Sequence, residues 1–224
     1  DSYMQEYVKL INGSATQIPI DDNSVDYVFI DPPHTNRVLY MEQSLMWNAW
    51  LGLDEEIEWD NEIVVTEAKN RKKKNSDNYN LLLDKAFGEI YRVLKPNRYF
   101  SLAFNCLDDN IWIDILNLSV HHGFEIRDIV PLEYSATSVI QDNRKNALKT
   151  DFVLTFQNVG NNELEQISFK NDDLELEQMI NGILESNPGY EVYNIMNVLF
   201  EKTIPKGYIY KVSKIVKFCA KIME

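Results

Sequence analysis

The residues whose types and spacing best suit chemistry are Asp31-Pro32-Pro33-His34. Consecutive prolines fix φ at about −65° and remove two backbone donors. The carbonyls of Asp31 and Pro32 are then kept out of any helix start and can face a ligand. The loop offers one carboxylate and one carbonyl at a set separation, an arrangement suited to a primary amine that must become nucleophilic. In adenine or cytosine the exocyclic NH2 lone pair is delocalised into the ring. Donating one N–H to the Asp31 carboxylate and the other to the Pro32 carbonyl favours a pyramidal nitrogen with its lone pair free. Such a nitrogen can attack a methyl group carried on a sulfonium. His34 offers a planar ring to stack on the base, which must leave its duplex to arrive. Asp-Pro-Pro also occurs as simple loop punctuation, and that reading stands beside the chemical one.

Other candidates are less specific. Lys69-Asn70-Arg71-Lys72-Lys73-Lys74 carries five positive charges in six residues, a phosphate track or a solvated charge run. Arg144, Lys145 and Lys149, near Ser135 to Gln141, offer a second backbone contact of the same ambiguity. The net charge of −13 runs against a nucleic-acid partner, but local potential rather than the total decides where a polyanion sits. Acidic residues concentrate at Asp54 to Glu67 and Glu163 to Glu177. His121-His122 precedes Gly123 and reads as a helix-dipole partner, with no carboxylate or cysteine at ligand spacing, so no metal site is expected. Trp47, Trp50 and Trp112 read as core. Cys106 and Cys219 lie far apart without CxxC spacing, which points to a reducing, cytoplasmic setting. No apolar run reaches the roughly 20 residues of a membrane span.

The elements that must position these groups are legible from periodicity. Tyr7 to Ile11 reads as a strand ending at Asn12-Gly13, and Val25 to Ile30 as a second strand. The continuous run Val28-Phe29-Ile30 is typical of a parallel strand covered on both faces. Its abrupt end places Asp31 beyond the carboxyl end of a strand, where open α/β sheets bind ligands. Helices are expected over 40–51, 81–94 and 110–121, with strands over 99–104, 124–130 and 151–156. Residues 52–80 read as a charged surface excursion. Asn105 follows the strand ending at Phe104, at the same sheet edge. Alternation of this kind implies helices on a largely parallel sheet. From Val159 the texture changes to apolar periodic runs over 174–184, 190–200 and 212–222, a small helical appendage.

The sequence SVDYVFIDPPH, residues 24–34, resembles the S-adenosylmethionine-dependent DNA amino-methyltransferases, whose signature is Asp-Pro-Pro-Tyr after a strand. Leu10-Ile11-Asn12-Gly13-Ser14-Ala15 is similar to that family's Gly-Asp-Ala segment, with Ser14 where Asp is usual. Val38 to Glu42 and Trp47 to Gly52 are similar to a bacterial branch, and Glu89 to Pro96 resembles an "E-RVLKP" helix and turn. The match runs over roughly 7–157 in the family's order. It implies a partial Rossmann-like methyltransferase sheet, mostly parallel, over 1–158, and a small C-terminal helical domain over 159–224. It also implies methyl transfer from S-adenosylmethionine to an exocyclic amine of DNA, with adenine N6 preferred over cytosine N4. Asp31, Pro32, Pro33 and His34 would be catalytic, Ser14, Ala15 and Asn105 would hold the cofactor, and Arg37 and Tyr40 would line the nucleic-acid path.

Two departures stand out. His34 replaces the usual aromatic, and no glycine-rich turn for the cofactor's methionine part is present among eight glycines. The chain therefore reads as the later-strand half of the fold. A longer polypeptide or a restriction subunit is the expected source of the remainder. The rival readings are a non-catalytic binding module of a restriction or defence protein and a methyltransferase for RNA or a protein amide. A nicotinamide-dependent oxidoreductase fits poorly, since its own glycine fingerprint is equally missing.

Overall fold

A computed structural model describes residues 7–32, 39–53, 59–66, 74–106, 108–132, 151–160 and 164–223. Its centre is a four-stranded sheet of β1 (Val25–Ile30), β2 (Leu94–Phe104), β3 (Phe124–Pro131) and β4 (Phe152–Asn158), in the order β1-β2-β4-β3. β1 pairs parallel with β2, while β4 is antiparallel to both β2 and β3. β1, β2 and β3 therefore run one way, and β4 is inserted between two of them in reverse. The largely parallel expectation holds for strand direction and fails for neighbour pairing, where the sheet is mixed.

Two helices connect the parallel strands. α2 (Ser76–Val93) precedes β2, and α3 (Asp109–His121) joins β2 to β3; α1 (Tyr40–Leu51) lies between β1 and α2 in the chain. α2 forms because Asn75 caps it, accepting the Asn78 N–H at 2.9 Å, and because its apolar residues recur every three or four positions. Tyr79, Leu83, Phe87 and Ile90 are buried in the common core. α3 is capped by Asp108, which accepts from Asn110 N at 2.9 Å, and Gly123 ends it at φ 77°, a conformation that glycine adopts without steric cost.

Phe100 of β2 sits at the centre of the core. Its ring stacks on Phe156 at 4.7 Å and meets Phe87 and Phe124 edge-on at 5.5 and 4.6 Å. Such pairs add to area burial through their ring quadrupoles. Trp112 is core as expected, with its Nε1 donating to the Cys106 carbonyl at 2.7 Å.

Helices α4 (Asp173–Ser186), α5 (Val192–Thr203) and α6 (Val212–Met223) form at the expected positions. They share the sheet's core. Phe200 of α5 meets Trp112 at 5.3 Å, Asn117 exchanges two hydrogen bonds with the Ile167 backbone, and Ser213 donates to Asp109 from both its N and Oγ. A short parallel pair, β5 (Ser168–Phe169) with β6 (Tyr208–Ile209), ties the segment together. No helix among the described residues is long and apolar enough to cross a membrane.

Two expectations are overturned. Tyr7 to Ile11 form no strand, because an extended segment needs a ladder to satisfy its backbone and no strand among the described residues pairs with it. Trp47 and Trp50 are not core: they are 57% and 76% exposed and meet each other edge-on at 5.9 Å. Apolar and polar residues alternate around α1 rather than segregating, so the helix has no face to bury, and none of its residues is buried. β1 is likewise uncovered on one side, with Tyr27 and Phe29 more than half exposed.

Candidate functional site

The parallel register Ile30↔Leu102 brings the carboxyl ends of β1 and β2 to one rim. Asp31 and Pro32 leave β1 there, the first exposed and the second half-buried. Asn105 leaves β2 at the same rim and is fully buried. The chain then turns at once into α3, with the Cys106 Sγ accepting the Asp108 N–H at 3.3 Å. The amino-terminal end of a helix therefore lies next to Asn105, and its positive dipole end is offset by the Asp108 carboxylate. Asp31 and Asn105 thus each follow the carboxyl end of one of two paired parallel strands. Pro33, His34 and Arg37 lie outside the described residues.

Tyr40 opens α1 and is 55% exposed. A strap over 59–66 fixes this end of the molecule. Glu62 Oε1 accepts the Met41 N–H at 3.1 Å, and Thr66 N donates to the Lys74 carbonyl at 2.8 Å. Lys74 itself is only 2% exposed, with Nζ donating to the Asp60 and Glu62 carbonyls at 2.6 and 2.5 Å. A buried ammonium needs such partners. Lys74 is a clamp between the strap and α2 and is not available to a phosphate, which corrects the reading of the basic run. Lys69, Arg71, Lys72 and Lys73 fall outside the described residues, as do Arg144 and Lys145.

Ser14 and Ala15 stand elsewhere. Ser14 forms a turn in which its Oγ bonds Thr16 Oγ1 at 2.9 Å, and it lines a cavity of about 730 Å³ with Ile20, Asp21, Glu89 and Arg92. That cavity is at the amino-terminal end of β1, where Asn23 N and Ser24 N donate to the Arg92 and Val93 carbonyls. A six-residue strand separates it from the rim by roughly 20 Å. Ala15 is exposed on the same turn. The structure therefore does not bring Ser14 and Ala15 together with Asp31 and Asn105.

The Glu89 and Arg92 of the "E-RVLKP" segment organise that far end. Arg92 donates to Glu89 Oε1 and Oε2 at 2.9 and 2.8 Å, to Asp22 at 2.5 Å, and to the Ile18 and Ile20 carbonyls at 2.7 and 2.8 Å. Ile18 N donates to Glu89 Oε2 at 2.7 Å. The Arg92 guanidinium, helped by the Ile18 N–H, holds the Glu89 carboxyl below the usual carboxylate range against a smaller opposing effect of burial. These two side chains tie the segment before β1 to α2.

Sequence spacing missed one grouping. Asp84 Oδ1 lies 2.8 Å from His122 Nε2, 38 positions along the chain. Only the side-by-side packing of α2 and α3, also marked by Asn80 Nδ2 donating to Asp114 Oδ2 at 3.0 Å, brings them together.

No protein-family model and no curated protein matches the sequence. Solved structures similar in part include a Thermus thermophilus protein assigned as a DNA modification methylase, at 12% identity and TM-score 0.38, covering 75% of this chain and 57% of that one. The same protein complexed with S-adenosyl-L-methionine gives a TM-score of 0.37. A methyltransferase of Haloferax volcanii in complex with the Trm112 activator covers 73% of this chain and 68% of its own, at 12% identity and TM-score 0.37. This chain spans less than two thirds of the Thermus protein's length. Likenesses of this size establish neither fold nor activity.

Proposed function

We propose that this chain presents the acceptor side of an S-adenosylmethionine-dependent methyl transfer to the exocyclic amine of a flipped DNA base, adenine N6 in preference to cytosine N4. The observation that supports the reading is that Asp31 and Pro32 directly follow the carboxyl end of β1, which pairs parallel with β2, the strand that the buried Asn105 follows. The Asp31 carboxylate accepts one amine N–H and the Pro32 carbonyl the other. Pro33 fixes the corner and His34 stacks on the base. Tyr40 and Arg37 flank the base path, and Lys69, Arg71, Lys72, Lys73, Arg144 and Lys145 serve the phosphates.

The cofactor, when bound, supplies a methyl group on a sulfonium that is its own leaving group. The described residues do not assemble a site for it alone: Asn105 is at the rim, whereas Ser14 and Ala15 face the opposite end of β1. On this reading further strands come from the rest of a longer polypeptide or from a restriction subunit. They pair with residues 7–11 and carry Ser14 and Ala15 to the rim. The separation of Ser14 from the rim equally favours a second reading, a methylase-like binding module without catalysis.

Labelled methyl transfer to duplex DNA, RNA and protein, measured on protein isolated in its native assembly, separates the two. DNA is expected to be labelled, with Asp31→Ala reducing the rate by about 100-fold or more, because misplacing the acceptor amine removes the attack geometry. Transfer unaffected by Asp31→Ala overturns the acceptor role. Labelling of RNA alone moves the substrate class, and no transfer to any acceptor leaves the binding module.

A further inference from the structure

Asp84, His121 and His122 each offer one ligand atom, and these atoms lie within 4.8 Å of one another. We infer that they form a binding site for a divalent transition metal of the Zn²⁺ type, bracing α2 against α3 with water in the remaining positions. This site is distinct from the Asp31 rim and does not rest on the methyl-transfer reading.

The donor set is two imidazole nitrogens and one carboxylate oxygen, which suits Zn²⁺, Co²⁺ or Ni²⁺ and not the all-oxygen shells of Ca²⁺ or Mg²⁺. The spacing is within small side-chain adjustments of a shared ion. With metal–ligand bonds of about 2.0–2.2 Å at tetrahedral angles, neighbouring ligand atoms lie about 3.3–3.6 Å apart. Asp84 Oδ1 and His122 Nε2, hydrogen-bonded at 2.8 Å, open slightly, and the exposed His121 ring closes in from within 4.8 Å. The two rings stand at 76° with centroids 5.1 Å apart, so their nitrogens can converge without stacking.

The backbone has made room for this arrangement. Gly88 follows Asp84 by one turn of α2, and a Cβ there would meet His122 Cε1 at 3.3 Å, closer than ordinary van der Waals contact. The His122 ring is thereby seated against α2, with its side chain 18% exposed, while Asp84 is 39% exposed and His121 lies at the surface, open to an ion from solvent. The ion also meets the negative, carboxyl end of the α3 dipole. On binding, the metal takes the place of the Asp84 Oδ1–His122 Nε2 hydrogen bond, and the neutral imidazole carries its single N–H on Nδ1.

The test is a calorimetric titration of the untagged chain with Zn²⁺, backed by visible absorption of Co²⁺ and by thermal unfolding. One equivalent of Zn²⁺ is expected to bind and to raise the Tm. Asp84→Asn and His121→Ala, on different helices, are each expected to weaken binding by at least about tenfold. His121 is exposed, so its removal leaves the packing of His122 on Gly88 intact, and circular dichroism checks that the variant is folded. No saturable Zn²⁺ binding overturns the site, and so does binding that both variants leave unchanged. In either case the Asp84–His122 hydrogen bond is only a structural tie between the helices.

Discussion

Arg92 directs its guanidinium at two carboxylates and two backbone carbonyls, so the family-like "E-RVLKP" pattern has a structural meaning: it staples residues 18–22 to the end of α2. The direction of the Glu89 shift makes this testable. A carboxyl whose pKa is lowered by folding stabilises the fold above its unfolded value. That contribution is lost as the pH falls through the lowered value. Glu89→Gln is therefore expected to lower the Tm at neutral pH, with the deficit shrinking as the pH drops below the ordinary carboxylate range of about 4. Thermal melts from pH 7 downward check it, and a deficit unchanged into acid contradicts it. At this scale Asp31 was legible, because a bulky apolar run ending in Asp-Pro marks a strand's carboxyl end. Lys74 was not, because its partners are backbone carbonyls of a strap that charge counting does not see. Asp84 was not either, because its histidine partner depends on how two helices pack.

Among the elements, β2 has the most consequence, since it carries the core's central ring and leads directly into Asn105 at its carboxyl end. Phe100→Ala is expected to cost roughly 3–5 kcal/mol by leaving a cavity among Phe87, Phe124 and Phe156, read by chemical denaturation; a loss under about 1 kcal/mol contradicts the central position of the ring. The helices from Asn75 onward were legible because their apolar spacing and caps agree, as at Asn75 and Asp108. The failures have physical causes. Tyr7 to Ile11 has a strand's composition, but strand formation requires a ladder partner, which local composition does not report. The reversed insertion of β4 is likewise hidden, since alternation gives the faces of a strand and not its neighbours. In α1 the tryptophans looked like core by type, yet their neighbours leave no apolar stripe to bury them.

For the whole molecule, the helices that bury the core leave Tyr27 and Phe29 of β1 and Trp47 and Trp50 of α1 exposed. Parallel strands are normally covered on both faces, whereas among the described residues one face of β1 is not; the proposed function has further strands complete the cofactor site. Calorimetry of this chain with S-adenosylmethionine is accordingly expected to show weak binding or none. Micromolar affinity would mean that this chain holds the cofactor without further strands and would contradict that reading.

The central claim concerns the acceptor corner and needs no cofactor to test. Binding of the chain to a duplex with an unpaired adenine is compared with binding to the same duplex carrying purine, which lacks the 6-amino group, at that position. The account predicts about tenfold tighter binding to the adenine duplex, equivalent to about 1.4 kcal/mol, and loss of that preference in Asp31→Ala. Equal affinity of the unaltered chain for the two duplexes, or a preference that survives Asp31→Ala, would contradict it.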